Sequence, residues 1–351
     1  MNSSDINGCL IGTAVGDALG LPYEGLSARR AMKVFGPPTR HRLLFRRGMV
    51  SDDTEHTLIV AESLIESGGD TKRFERAFAK RLRRWFLSLP AGMGMATAKA
   101  CLKLLVGVSA KRSGVFSAGN GPAMRSAILG VFADDIQQLS EFVRITTRIT
   151  HTDPKAEMGA FAIALAAHLA KSGRLIKPQE YLSQLREHLP PDGSAEFLTV
   201  MERATEYAEK GCDTKDLASD MGLVKGVGGF VYHCVPVAVH CWLSHQTDFR
   251  AAMETIISCG GDTDTNAAMV GGIIGASSAG DSIPVEWIDS LILYPMSIES
   301  IGKLAQELNN TRESGEAGAP KSPLWVSTFA RNVFFLAVVL FHGFRRLLPP
   351  Y

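Results

Sequence analysis

Apolar residues recur every three to four positions through most of the chain, as in Thr57-Leu-Ile-Val-Ala-Glu-Ser-Leu-Ile65 and Phe161-Ala-Ile-Ala-Leu-Ala-Ala-His-Leu-Ala170, and that period predicts helices. Ala and Leu, both strong helix formers, dominate these segments, and turn signals such as Gly68-Gly69-Asp70 and Pro190-Pro191-Asp192-Gly193 fall between them. Strand-like alternation is scarce, so the pattern predicts an all-α architecture. No fixed-period repeat and no interior linker divide residues 1–308, which read as one domain. Asn309 to Ser322 is rich in Gly, Glu, Asn and Pro, and 309–323 reads as a linker. Residues 324–351 then read as a helical extension, with a helix from Leu324 to Leu348 and Arg345-Arg346 complementing the dipole near its C-terminal end. Its apolar middle, Val333 to Phe341, is nine residues long, well short of the ~20 that a membrane-spanning helix needs. Two readings of this helix stay open: a tail that touches a membrane, or a terminal helix packed back onto the domain, which its thin polar face favours.

Composition narrows the class. The 351 residues allow one large domain or two ordinary ones, and 46% apolar against 21% charged residues excludes bulk disorder. Lys plus Arg number 37 against 36 Asp plus Glu, which removes the basic excess expected of a general nucleic-acid binder or of a protein held on anionic membranes by net charge. Six cysteines (Cys9, Cys101, Cys212, Cys234, Cys241, Cys259) contain no C-x-x-C pair, so neither a zinc ribbon nor a disulfide framework is expected. With no secretory pattern at Met1 to Cys9, a cytoplasmic, monomeric protein is the expectation.

Two acidic clusters stand at expected helix starts: Ser51-Asp52-Asp53-Thr54 before Leu58-Ile-Val-Ala, and Asp262-Thr263-Asp264-Thr265 before Ala267-Ala-Met-Val. Capping accounts for either one alone, and Asp52-x-x-Glu55 has the form of an acidic capping box. A cap uses one side-chain oxygen, however, whereas these clusters hold four carboxylates and several hydroxyls. Brought together, such hard oxygen ligands would repel one another without a cation and would select Mg²⁺, Mn²⁺ or Ca²⁺ over zinc. Ala267, Gly271 and Gly275 recur every four residues on one face of the second helix and allow close packing there. Gly16-Asp17-Ala-Leu-Gly20-Leu-Pro-Tyr-Glu24 is a further polar turn, in which Asp17 reads as a capped or solvated acid and Glu24 as a surface residue. The loops Phe116 to Arg125 and Leu89 to Thr97 place small residues ahead of helices, where backbone N–H groups can face an anion, although a simple turn suffices for the second. His151-Thr-Asp153-Pro154 is an ordinary helix start with a histidine just outside it.

Taken in order, Gly16-Asp17-Ala-Leu-Gly20…Glu24, Ser51-Asp52-Asp53-Thr54, Gly119-Asn120-Gly121-x-x-Met124-Arg125, His151-x-Asp153-Pro154 and Gly260-Gly261-Asp262-Thr263-Asp264-Thr265 resemble the ADP-ribosylglycohydrolase family over roughly residues 6–305. The resemblance implies a single large orthogonal helical domain with a binuclear centre of two Mg²⁺ (or Mn²⁺), and hydrolysis of the bond joining ADP-ribose to an acceptor. By the same resemblance Ser51, Asp52, Asp53, Asp262, Asp264 and Thr265 match metal ligands, and Glu24 and Asp53 are the expected catalytic acids. Gly94, Ser117, Gly119, Asn120, Gly121 and His151 match positions that contact the diphosphate and riboses. Ser51 stands where the family usually has Thr, keeping the hydroxyl, and Ala118 stands where some members place an aromatic beside the ribose. The expected substrate is ADP-ribosylated protein, with arginine the leading acceptor and serine, O-acetyl-ADP-ribose or nucleic-acid linkages the alternatives. Two other classes compete. A binuclear phosphohydrolase would need cations at the phosphate, for which Arg46-Arg47 is the available pair. A non-enzyme, either a crystallin-like structural protein or an ADP-ribose-binding protein, would be favoured by loss of the metal carboxylates, and all four are present here.

Overall fold

The computed structural model describes residues 4–277 and 282–346, with the side chains of Ser4, Arg345 and Arg346 excepted. The helices are α1 (Ser4–Gly20), α2 (Ala28–Phe35), α3 (Asp52–Ser67), α4 (Thr71–Leu87), α5 (Met95–Leu105), α6 (Ala110–Ser113), α7 (Ala127–Phe132), α8 (Ile136–Arg148) and α9 (Pro154–Ala170). They continue as α10 (Pro178–His188), α11 (Ala195–Glu209), α12 (Thr214–Asp220), α13 (Val231–Ser244), α14 (Phe249–Ile257), α15 (Thr263–Gly275), α16 (Val285–Asp289), α17 (Ile298–Ser314) and α18 (Trp325–Arg346). Among the described residues the all-α expectation is therefore met apart from two ladders of two residues per strand: β1 (Leu26–Ser27) antiparallel to β3 (Gly260–Gly261), and β2 (Gly48–Met49) parallel to β4 (Leu291–Ile292). Strands this short leave no period in the sequence.

Local chemistry sets the helix ends. Asp70 accepts from the Arg73 N–H to cap α4, Asp153 accepts from the Lys155 N–H ahead of Pro154 to cap α9, and Gly68 ends α3 with φ +60°. The Asp52-x-x-Glu55 box does not form. Ser51 is the cap of α3, and Glu55 instead accepts from Trp85 Nε1 at 2.6 Å and from Arg331 at 2.8 Å. Helices α9, α13 and α15 are apolar on almost every side and are buried, since a helix without a polar face has no side to turn to water, while α4 and α8 present one apolar stripe each.

The closest packing joins α1 to α15, which run antiparallel with their backbones in contact. A Cβ on Gly12 would lie 2.2 Å from the Gly271 carbonyl oxygen, one on Gly16 2.2 Å from that of Ala267, one on Gly20 2.3 Å from that of Thr263, and one on Gly275 2.1 Å from that of Gly8. The small-residue face of α15 thus meets a matching row, Gly8-Gly12-Gly16-Gly20, on α1. This register sets Asp17 beside the start of α15.

The linker is shorter than its composition predicts. Helix α17 continues through Asn309 to Ser314, because Asn309 and Thr311 are buried and Arg312 pairs with Asp5 at 2.8 Å, and helix ends only at Gly315, φ +69°. The connection 315–324 crosses α3 and α4, with the Gly318 N–H donating to Ile65 O and Ser322 Oγ to Glu62 Oε2. Helix α18 then packs back onto the domain; residues 347–348 of the expected helix lie outside the described residues.

Candidate active site

Both acidic clusters and the Asp17 turn meet at one cleft, and the fold brings them there by three separate devices. Asp17, on α1, is fully buried and accepts from the Ser51 N–H (2.8 and 3.0 Å), the Thr54 N–H (3.2 Å) and the Thr54 hydroxyl (2.5 Å), so an acid from one helix caps the N-terminus of α3. The glycine contact of α1 with α15 delivers Asp262 and Asp264. The β1–β3 ladder, with the Gly25 N–H donating to Gly261 O at 2.7 Å, fixes the Glu24 turn against the same helix start. Gly260 and Gly261 have φ of +71° and +88°, and a Cβ on either would strike backbone within 2.6 Å, so this crossing requires glycine twice.

The acids form two groups whose oxygens lie within 4.8 Å of one another, Asp17–Asp53–Asp264 and Glu24–Asp262–Asp264, with Asp264 common to both. The Ser51 hydroxyl donates to Asp53 Oδ2 at 3.0 Å and the Thr265 hydroxyl to the same oxygen at 3.2 Å, leaving Asp53 Oδ1 buried without a hydrogen-bond donor; Asp264 Oδ1 is in the same condition. Asp262 does not cap α15 with its side chain, and its Oδ2 accepts from Asn120 Nδ2 at 2.7 Å. Burial, then the neighbouring acids, raises the carboxyls: Asp52 to about 8, with Asp17 and Glu55 adding to burial, and Asp53 and Asp264 well above the usual range. Burial raises Asp17 only to about 6, because hydrogen bonds from Thr54 and Ser51 hold its charged form. Buried, mutually repelling carboxylates with undonated oxygens fit hard divalent cations, which replace both the missing donors and the protons.

The cleft above these acids is a cavity of about 540 Å³. Glu24, Asp52, Asp53, Asp262, Asp264 and Thr265 line it, as do Gly94, Ser117, Gly119, Asn120, Gly121 and His151, with Asn120 in contact with Asp262. Of the ligands and contact residues expected from the sequence, only Ser51 lies beneath its wall, bonded to Asp53. The first turn of α5, Met95-Ala-Thr97, also opens onto the cleft. Burial pushes His151 down to about 3, so its ring is neutral. Thr150 Oγ1 accepts from Arg125 Nη2 at 2.7 Å and lies 2.9 Å from His151 Nδ1, which holds the ring in place. The other ring nitrogen, Nε2, is the atom nearest a Cβ built on Gly119.

Two residues of this site had no role assigned from sequence. Asp17 has its signal in being a lone acid among apolar neighbours from Cys9 to Leu19, all buried. Arg125 is fully buried, donating to Thr146 O at 2.8 Å and to Thr150, beside His56 Nδ1 at 3.0 Å and the Phe78 ring. Burial lowers it to about 9, leaving it charged at neutral pH. Arg46 and Arg47 do not line the cleft; Arg46 lines a separate cavity with Ala337 and Phe341, so the cations a phosphohydrolase needs are not supplied by this pair.

A helical domain with clustered carboxylates at helix starts, in one cleft with a glycine-rich loop, is the frame of a hydrolase. The ADP-ribosylglycohydrolase family model matches residues 3–317, and the chain belongs to that family. It is a glycosylhydrolase enzyme that acts on ADP-ribosyl bonds. An uncharacterized protein of Archaeoglobus fulgidus is 32% identical over 297 residues, covering 81% of this chain and 90% of its own. Human ADP-ribosylhydrolase ARH3 is 27% identical, with 87% of this chain and 93% of the relative covered. Among solved structures, an ADP-ribosylglycohydrolase-related protein complex shares the fold with a TM-score of 0.67 at 24% identity, over 88% of this chain and 98% of the other.

Proposed function

We propose that the enzyme releases ADP-ribose from ADP-ribosylated arginine on protein, using two Mg²⁺ or Mn²⁺ ions held by the acids of the cleft. The observation that carries this reading is Asp264, shared by two groups of acids and buried with an undonated oxygen. Asp53 and Asp264, with Asp17, would hold one cation and Asp262 and Asp264 the other, with Asp52, Ser51 and Thr265 beside them and Glu24 within reach of the second group. When bound, such cations fix ribose hydroxyls and lower the pKa of a coordinated water.

The chain's own residues supply the rest. Departure of the acceptor from the ribose C1″ builds positive charge on the ring, which the carboxylates of Asp52 and Asp53 at the cleft floor stabilise. Glu24, half-buried in a turn pinned by β1, moves the proton between the attacking water and the leaving nitrogen. The N-terminal turn of α5, the backbone at Gly121 and, with its proton on Nε2, the neutral ring of His151 would present donors to the diphosphate. A cationic guanidinium acceptor complements the half-exposed Glu24 and Asp262. The test is release of ADP-ribose from arginine-linked and serine-linked peptides with Mg²⁺ and with EDTA. Turnover of the arginine-linked peptide with Mg²⁺ alone is expected. Full turnover after chelation overturns the cation site, and a preference for the serine-linked peptide overturns the acceptor.

A further inference from the structure

Helix α18 lies beyond the stretch matched by the family and is built inside out. Its polar side chains point at its own domain: Arg331 binds Glu55 Oε1 at 2.8 Å and the Val50 carbonyl, Asn332 donates to Ser88 O at 2.9 Å, and His342 lies 2.7 Å from Leu43 O. Phe335 and Val338 fill the space between them. At 100° per residue the opposite arc, about a third of the circumference, carries Val326, Val333, Phe334, Leu340, Phe341 and Phe344, all exposed, with Ala330 and Ala337 between. No polar side chain from 326 to 344 interrupts that arc; Ser327 sits on its flank, and Thr328 falls on the domain side near Arg331. A soluble helix shows the reverse arrangement, and an apolar face this continuous needs a cover.

The surroundings identify the cover. Phe45 is 94% exposed at a turn of φ +45° and borders the same cavity as Phe341 and Ala337, along with Arg40, Arg42 and Arg46. Arg47 beside them is exposed, and at the other end of the helix exposed Arg84 donates to Pro323 O at 3.1 Å. The near-zero net charge of the chain thus hides arginines gathered around one apolar face. We infer that this face seats on an anionic lipid bilayer, with α18 lying parallel to the surface, Phe45, Phe341 and Phe344 entering the acyl boundary, and the arginines meeting headgroup phosphates. Although α18 has the length and mean hydropathy of a membrane span, Arg331, Asn332 and His342 tie it to the domain, so it lies on the bilayer rather than crossing it. A second copy in a parallel pair would set like arginine clusters side by side, whereas anionic headgroups complement them.

The experiment is co-sedimentation of the full chain with vesicles of phosphatidylcholine alone and of equimolar phosphatidylcholine and phosphatidylserine, at low and high salt. Binding to the mixed vesicles is expected, at least about tenfold weaker on neutral vesicles or at high salt. Phe341→Asp with Phe344→Asp should abolish it, and Arg46→Glu or Arg47→Glu should each weaken it by about fivefold or more. None of these residues touches the cleft, so hydrolysis of a soluble ADP-ribosyl substrate should be unchanged. The arginine variants lie on an exposed loop and keep the test decisive if the helix variant fails to fold. The inference is overturned by failure to bind mixed vesicles, by binding indifferent to all four changes, or by a dimer in solution that Phe341→Asp dissociates.

Discussion

Glu24 and Asp17 stand on either side of one short turn, and their surroundings give them different consequences on mutation. Glu24 lines the cleft, so Glu24→Gln keeps the size and hydrogen-bonding capacity while removing the charge and the proton-transfer function. The expected result is a fall in kcat of ~10²–10⁴ with ADP-ribose affinity and denaturation midpoint little changed. Asp17 instead holds four donor contacts from the start of α3 on its two oxygens. Asp17→Asn leaves one carbonyl oxygen for them and turns an N–H₂ toward donors, so it should cost about 1–3 kcal/mol in urea denaturation as well as activity. A stability loss for Glu24→Gln equal to that of Asp17→Asn would contradict this division. At this scale the acids of α3 and α15 were legible because hard ligands cluster within four residues of each other. Asp17 was not, because a capped acid and a buried one look alike until the partner helix is placed.

At the level of elements, the site depends on how closely two helices approach. The glycines of α1 and α15 carry no chemistry, yet they set the distance between Asp17 and Asp264. Gly271→Ala would place a Cβ 2.2 Å from the Gly12 carbonyl oxygen, a backbone atom that no rotamer change can move. The helices must part, with a cost of about 1–3 kcal/mol for overpacking, and because the acids part with them the apparent Mg²⁺ affinity should fall as well. Calorimetric titration together with urea denaturation checks both, and unchanged Mg²⁺ affinity in a destabilised protein would separate the helix contact from the site. The α15 stripe was readable from its spacing of four. Its partner row on α1 has the same spacing, but which two stripes meet across some 250 residues is a tertiary fact that no local period carries. The same limit explains Glu55, which looked like part of a cap and is held by Trp85 and Arg331 from distant elements.

For the whole molecule, near-neutral overall charge proves to be a poor guide, since carboxylates collect in the cleft while arginines collect around α18. The acid cluster makes stability depend on both pH and cations, and the sign follows from the direction of each shift. A carboxyl raised in the fold keeps its proton in the native state at a pH where the unfolded chain, near 3.9, has lost it, so stability falls as pH climbs from the unfolded value through the folded one. Asp17 acts this way up to about 6 and Asp52 up to about 8, and Asp53 and Asp264, also raised by burial and by the neighbouring acids, act in the same direction. Buried histidines oppose them below about 6.5, because His56 and His240, like His151, are lowered by burial and favour the fold as pH rises toward the unfolded value. Above that point the histidines contribute no further gain, and the acids set the downward slope until Lys171, lowered by burial to about 8, begins to oppose it. In EDTA the melting temperature should therefore drop between about pH 6.5 and 8, whereas saturating Mg²⁺ should remove the drop by taking the place of the protons, raising the melting temperature most at the alkaline end. A metal-free protein whose melting temperature is flat or rising over that interval, or a Mg²⁺ increment no larger at pH 8 than at 6.5, would mean that the carboxylates are not forced together in the way the cleft requires.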